Sequence, residues 1–360
     1  MYIGIPKESR PFEYRVGLSP AGVEILSQSG HQVFVEHEAG LGAGFSDLEY
    51  ERAGARIAYS AEEVFGRADL LLKISRPLKQ EMEWFKESAT LAGFLHLASS
   101  SQDQIDLLLE KKVTALAYEQ IVDANGSLPV LRPFSLICGT MTAQIVARLL
   151  QSDWGGKGIL LSGLPGVPPA EVVIIGGGTV GFTATQSMIG AGAHVTVIDK
   201  NMNVLEKIVG KFPRAVTMIS TKRNIERATA YADVVIGAVL VSGQRAPIVV
   251  TREMVRGMKP RSVILDVSID AGGCVETSHP TTHERPTFIE EGIVHYCVPN
   301  IPGVVARTAS HVFLNAAIPY ILDIANKGVE QAMKESPSIE AAVNTFDGKL
   351  LHLVRLSAQE

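Results

Sequence analysis

Apolar and polar positions alternate along this chain on two length scales. Short apolar runs at Tyr2–Ile5, Gln32–Glu36, 69–74, 89–97 and 114–119 predict strands. Longer amphipathic stretches at 19–29, 47–53, 61–65, 78–87 and 102–111 predict helices between them, the first with Ser19 as its cap and Pro20 at its first position. Strand alternating with helix predicts a parallel, doubly wound α/β sheet covered on both faces.

The second half repeats the rhythm. Residues 135–151 predict a long helix, a rigid connector between two halves, and a loop rich in Gly and Pro (155–169) follows it. The apolar run Glu171–Ile175 then passes into Gly176-Gly177-Gly178-Thr179-Val180-Gly181. This is G-x-G-x-x-G between a strand and a helix, the fingerprint of a dinucleotide-binding turn. Gly176 allows the tight turn, Gly178 lets the backbone approach a pyrophosphate, and Gly181 lets helix and strand pack closely. The phosphates would rest on free N–H groups at the helix N-terminus. A second strand ends at Asp199, about twenty residues on, where an acid grips a ribose 2′-OH. Further strands are predicted at 233–240, 262–268 and 294–298. From Ala309 the pattern is helical to the C-terminus, and this tail is expected to pack back on the first domain. The expected fold is therefore two Rossmann-like doubly wound domains with a cleft between them. One comprises 1–130 plus 306–360, and the other, the dinucleotide domain, 131–305.

Composition narrows the class of protein. At 360 residues, 46% hydrophobic and with a net charge of −5, the chain is long enough for two full cores and offers nothing that draws nucleic acid or an anionic membrane. Its 3 cysteines are dispersed without metal-ligand spacing, which fits a reduced cytoplasm and argues against structural zinc. The N-terminus does not read as a signal peptide, and no apolar run is long enough to span a membrane.

Ligands of open α/β sheets bind beyond the carboxyl ends of the strands. That rule gathers Arg15 after the first strand, Lys73 at the end of 70–72 and His96 at the end of 93–95. Paired cations suit a small carboxylate, Arg as a fork and Lys as a point charge. In the second domain Asp270 and Asn300 lie beyond strand ends, and a His with an Asp suits proton transfer near neutral pH. The chemistry expected from these residues is hydride transfer on a small carboxylic acid.

Several of these segments resemble the alanine dehydrogenase family. They include Met1-Tyr2-Ile3-Gly4-Ile5-Pro6-Lys7-Glu8, Tyr14-Arg15-Val16, Leu71-Leu72-Lys73, Phe94-Leu95-His96-Leu97-Ala98, Gly163-Leu164-Pro165-Gly166-Val167, Asp270-Ala271-Gly272-Gly273-Cys274 and Asn300-Ile301-Pro302. The resemblance runs nearly end to end. It implies reversible, NAD-dependent oxidative deamination of L-alanine to pyruvate and ammonia. Arg15 and Lys73 would hold carboxylate or carbonyl oxygens, while His96 and Asp270 manage water and protons. Ser135 and Asn300 would flank the nicotinamide, Asp199 would hold the adenosine ribose, and Gly176, Gly178, Thr179, Val180, Gly181, Val239, Leu240, Ile269 and Asp270 would complete the cofactor site. A homo-oligomer, hexamer or dimer, is also implied. Phe134 and Ile301 stand where the family has pocket-lining Met, and Leu136 and Thr140 also depart from its pattern. The alternatives are another small amino acid as substrate, or a catalytically weak NAD-binding relative of the transhydrogenase nucleotide-binding component.

Overall fold

The computed structural model describes residues 1–241 and 245–353. In chain order the strands are β1 Tyr2–Ile5, β2 Gln32–Glu36, β3 Arg56–Ala58, β4 Leu70–Ser75, β5 Thr90–Phe94, β6 Thr114–Ala117, β7 Glu171–Ile175, β8 His194–Asp199, β9 Val216–Ile219, β10 Val234–Gly237, β11 Val263–Asp266, β12 Thr287–Glu290, β13 Ile293–Tyr296, β14 Val343–Phe346 and β15 Lys349–Leu350. The helices are α1 Pro20–Gln28, α2 Asp47–Arg52, α3 Ala61–Arg67, α4 Lys79–Met82, α5 Gln102–Glu110, α6 Arg132–Leu149, α7 Thr179–Gly190, α8 Met202–Lys211, α9 Lys222–Tyr231, α10 Arg252–Arg256, α11 Ala306–Lys327, α12 Val329–Glu335 and α13 Pro337–Ala342. The chain folds as two compact units, one of Met1–Phe134 with Pro302–Glu360 and one of Ser135–Ile301.

The sheet of the first unit runs β15-β14-β6-β5-β4-β1-β2-β3. From β3 to β6 every pairing is parallel, in the order 3-2-1-4-5-6 that marks a dinucleotide-type fold. Leu70, Leu71 and Leu72 of β4 are completely buried, as a central parallel strand requires. Each such side chain contributes about 1.5–3 kcal/mol of hydrophobic stabilisation.

Four expectations need correction here. The sheet is mixed, because β14 pairs antiparallel with β6 and with β15. The C-terminal segment does pack on this unit, but it is not helical throughout. Its strand β14 carries buried Asn344 and Thr345, and the Thr345 hydroxyl donates to Val113 O at 2.7 Å and accepts from Ala115 N at 3.1 Å. A polar pair doing the work of ladder bonds has no apolar run to announce it. The helix expected at 78–87 is the single turn of α4, and its Glu81 is buried instead of facing water. Ser19 occupies the cap position of α1 without a side-chain capping bond, so Pro20 sets the helix start by its fixed φ.

The sheet of the second unit runs β12-β13-β11-β10-β7-β8-β9. Its six parallel strands again follow 3-2-1-4-5-6, with β12 added antiparallel at the edge. Helices α8 and α9 with β9, which are not among the predicted elements, complete the first half of this sheet. Among the described residues no helix is long and apolar enough to cross a membrane.

Candidate functional site

In each unit the strand order reverses between its first and fourth strands, and it is there that an open α/β sheet leaves room for a ligand. In the first unit this point lies between β1 and β4. Lys73 sits in β4 where the register to β5 slips, and its side chain is 1% exposed. Its ammonium lies 3.3 Å from Glu8 Oε2 and 3.4 Å from Glu81 Oε1. Glu8 also accepts the Ile74 N–H at 2.6 Å, and Glu81 accepts the Leu78 N–H at 2.6 Å and the Ser9 hydroxyl at 2.9 Å. Burial pushes the Glu8 carboxyl above the usual carboxylate range; Lys73 and the Ile74 N–H pull it down, while Glu13 and Glu81 reinforce the rise.

Arg15, 8% exposed, reaches the same switch point from the loop after β1. Its Nε and one terminal nitrogen both donate to the carboxylate of Glu13, the first at 2.7 Å, and the guanidinium stacks 5.1 Å from the centre of the Phe134 ring. Phe134 in turn meets Phe94 edge to face at 5.0 Å. The Glu13 carboxylate also accepts the Ser75 hydroxyl at 3.0 Å, so Arg15 and Lys73 belong to one polar network across β4.

His96 follows β5 in the left-handed region, φ 43°, with a side chain 60% exposed. That exposure rules out a satisfied core histidine. The backbone there is over-determined: Glu119 accepts the N–H groups of His96 at 2.6 Å and Leu95 at 3.2 Å, and Arg76 donates to His96 O at 3.1 Å. The imidazole Nδ1 lies 3.7 Å from the same Glu119 carboxylate. A non-glycine residue held in this conformation stores strain of the kind that clusters at functional sites.

The fingerprint turn of the second unit follows β7. Gly176 has φ 100°, and a Cβ there would lie 2.3 Å from Ala238 O in the loop after β10. At Gly181 a Cβ would lie 1.8 Å from Gly176 O, so only glycine lets α7 start this close to the strand. Around Gly178 no atom lies within 4 Å of the Cβ position, leaving the N-terminus of α7, with Thr179 and Val180, open to a pyrophosphate. Asp199 ends β8; its Oδ2 accepts the Gly177 N–H at 2.6 Å and its Oδ1 the Asn201 N–H at 2.8 Å. Opposite, the loop after β10 presents half-buried Val239 and exposed Leu240, and Val239 N donates to the Ser268 hydroxyl at 2.9 Å. Asp270 is exposed on the turn after β11, with Ile269 buried beside it. Ser135 is half-buried near the start of α6, Asn300 is half-buried with φ 56°, and Ile301 lies 3% exposed in the apolar core of this unit.

Several supporting residues carry no signal in the hydrophobic pattern. Glu8, Glu13, Glu81 and Glu119 read as ordinary surface acids, yet each holds a cation or a strained backbone. Asp266 is 1% exposed and accepts N–H groups from Ser268, Cys274 and Val275 at 3.1, 2.9 and 3.1 Å, which folds the turn carrying Asp270. Burial pushes the Asp266 carboxyl up, against those donors, and drives the Cys274 thiol higher still.

Family models divide the chain once, within α6, and place in the C-terminal model the residues from 302 on that fold with the first unit. Residues 4–138 match the family model "Alanine dehydrogenase/PNT, N-terminal domain" and residues 142–353 match "Alanine dehydrogenase/PNT, C-terminal domain". The chain is 47% identical to an alanine dehydrogenase of Methanococcus maripaludis, over 98% of this chain and 95% of that one. A solved L-alanine dehydrogenase superposes with TM-score 0.94 at 43% identity, covering 98% of this chain and 97% of its own. A transhydrogenase structure from Sinorhizobium meliloti follows at TM-score 0.86 and 25% identity, covering 98% of this chain and 100% of its own. With two family models spanning nearly its whole length and a relative at this identity, the chain belongs to the alanine dehydrogenase/PNT family.

Proposed function

We propose that the chain catalyses the reversible, NAD-dependent oxidative deamination of L-alanine: alanine, NAD and water give pyruvate, ammonium, NADH and a proton. The observation that carries this reading is the buried pair Arg15 and Lys73 at the switch point of a sheet with no glycine fingerprint of its own. A cofactor needs no such pair of cations there; a small carboxylate does. Full-length similarity to alanine dehydrogenases supports the same substrate class.

The glycine turn fits NAD. Gly178 leaves space at the helix N-terminus, Gly176 and Gly181 bring strand, turn and helix together, and Asp199 waits at the end of β8 for a ribose hydroxyl. When bound, NAD supplies a nicotinamide that accepts the hydride. Val239, Leu240, Ile269, Ser135 and Asn300 are proposed to border it.

The remaining roles belong to side chains of the chain itself. Arg15, its fork fixed by Glu13, and Lys73 orient the substrate carboxylate and carbonyl oxygens. His96 exchanges a proton with water through its ring, whose Nδ1 side faces Glu119. Asp270 is the second proton-handling group, and Phe134 borders the substrate side chain beside Arg15. Homo-oligomerisation, as hexamer or dimer, and a cytoplasmic setting belong to the same proposal, the latter supported by cysteines dispersed along the sequence without metal-ligand spacing.

The test is turnover of NADH with ammonium and a panel of 2-oxo acids. Pyruvate should give the highest kcat/KM. No turnover on any of them would overturn the reading in favour of a binding protein.

A further inference from the structure

The polar network under Lys73 holds more acid than it needs. Lys73 faces two carboxylates, Glu8 at 3.3 Å and Glu81 at 3.4 Å, and all three side chains are at most 7% exposed. Both oxygens of Glu81 are engaged, one by the Leu78 N–H and one by the Ser9 hydroxyl, in the geometry of a helix cap. Glu8 accepts one short backbone bond, from Ile74 N at 2.6 Å, while its other oxygen has only the long Ser75 N–H at 3.4 Å and the shared ammonium. The charged groups around it are Lys73 on β4, Glu81 on α4 and, in its own loop, Glu13, which is paired with Arg15. Glu36 on β2 accepts the N–H of neighbouring Lys7 and feels the charge of Lys73, adding another acid to this neighbourhood.

An anionic substrate that takes up Lys73 brings one more negative charge into this dry space and draws the ammonium from its carboxylates. Like charges in a low-dielectric site are relieved most readily by a proton. We propose that Glu8 is a proton-accepting residue of the substrate site, taking one proton from solvent as a 2-oxo acid binds and returning it when the acid leaves. This rests on the reading that Lys73 holds the substrate. Burial already biases Glu8 toward its neutral form, so the added anion has only to complete the shift. The consequence is that carboxylate binding weakens as pH rises, by up to tenfold per pH unit above the apparent pKa of Glu8 in the free enzyme.

The experiment is calorimetric titration of pyruvate into the NADH complex without ammonium, at pH 8 in phosphate and in Tris, whose ionisation heats differ. Wild-type protein should take up about one proton per pyruvate. His96→Ala should take up the same amount, and Glu8→Gln close to none while still binding pyruvate. Undiminished uptake in Glu8→Gln, or binding without uptake in the wild type, overturns the proposal. Should Glu8→Gln fail to fold, the wild-type infrared difference spectrum decides. Pyruvate must then raise a protonated-carboxyl band, and its absence overturns the proposal equally. Absence of turnover on every 2-oxo acid would instead defeat the functional reading, while turnover with no proton uptake defeats this inference alone.

Discussion

Gly17 lies against β4 so closely that a Cβ would fall 2.0 Å from the carbonyl oxygen of Leu72, the residue before Lys73. The loop that carries Arg15 is seated on the strand that carries Lys73 through this contact, and both partners are backbone. Gly17→Ala therefore cannot be absorbed by a rotamer change; overpacking of this kind costs about 1–3 kcal/mol. The variant should lose at least about tenfold in kcat/KM for pyruvate, which corresponds to about 1.4 kcal/mol, with NAD affinity within twofold of wild type. Unchanged kinetics would show that the spacing of the two cations is not critical.

His96→Ala should lower kcat by on the order of 10²-fold, the usual contribution of a general acid–base group. Because the side chain is exposed, its removal should leave the melting temperature nearly unchanged. Asp270→Asn should be similarly damaging. Stopped assays together with a melting curve separate the chemical from the structural effect, and near-full turnover in His96→Ala would exclude it from the chemistry.

Asp199 should make the enzyme prefer NAD. Its carboxylate is pinned at the glycine turn by the Gly177 and Asn201 N–H groups, so it cannot swing away from a 2′-phosphate. Exposed Lys200 next to it offers a cation that softens the repulsion. Replacing Asp199 by Ser should reduce the NADH over NADPH ratio of kcat/KM by about tenfold or more, about one charge-assisted hydrogen bond. Equal use of the two cofactors by the unmodified enzyme would refute the assignment.

Phe134 and Ile301 should behave differently on exchange for Met. Phe134 lies under the Arg15 guanidinium, so Phe134→Met should shift the ranking among glycine, alanine, serine, 2-aminobutyrate and valine by about 1–3 kcal/mol. Ile301 is part of an apolar core, where exchange for Met conserves volume and costs under about 1.5 kcal/mol. A ranking untouched by Phe134→Met would remove that residue from specificity.

Asp233 should contribute to stability in a pH-dependent way. Burial works against its ionised form, yet the Glu171 N–H, Lys157 and Lys259 together hold its carboxyl below the usual range. A depressed folded pKa means that the contribution is complete above the unfolded value of about 3.9 and is lost as pH falls through the folded one. Asp233→Asn should thus cost about 1–3 kcal/mol at pH 7, with the gap to wild type closing below pH of about 4. Denaturant melts across that range check it; a gap that does not vary with pH would mean that charge is not involved.

The buried parallel strands and the glycine turn were legible in the sequence because local physics decides them, whereas the edge strands β3, β9, β12 and β15 and the antiparallel β14 were not. A buried parallel strand needs a continuous apolar run, and only glycine satisfies φ 100° at Gly176 and the space at Gly181, so those requirements are written residue by residue. Counting past predicted strands placed Arg15 after β1 and His96 after β5, whereas Lys73, expected at a strand end, lies within β4. What the tertiary structure alone decided is the company these residues keep. Glu8 and Glu81 meet Lys73 across 65 and 8 positions of chain, as their numbering shows, and Thr345 completes a strand more than 220 positions away. Antiparallel β14 and inward-turned Glu81 run against the pattern of apolar positions because each is stabilised by hydrogen bonds and charges from distant segments. A buried acid looks like a surface acid until the cation that holds it is brought alongside by the fold.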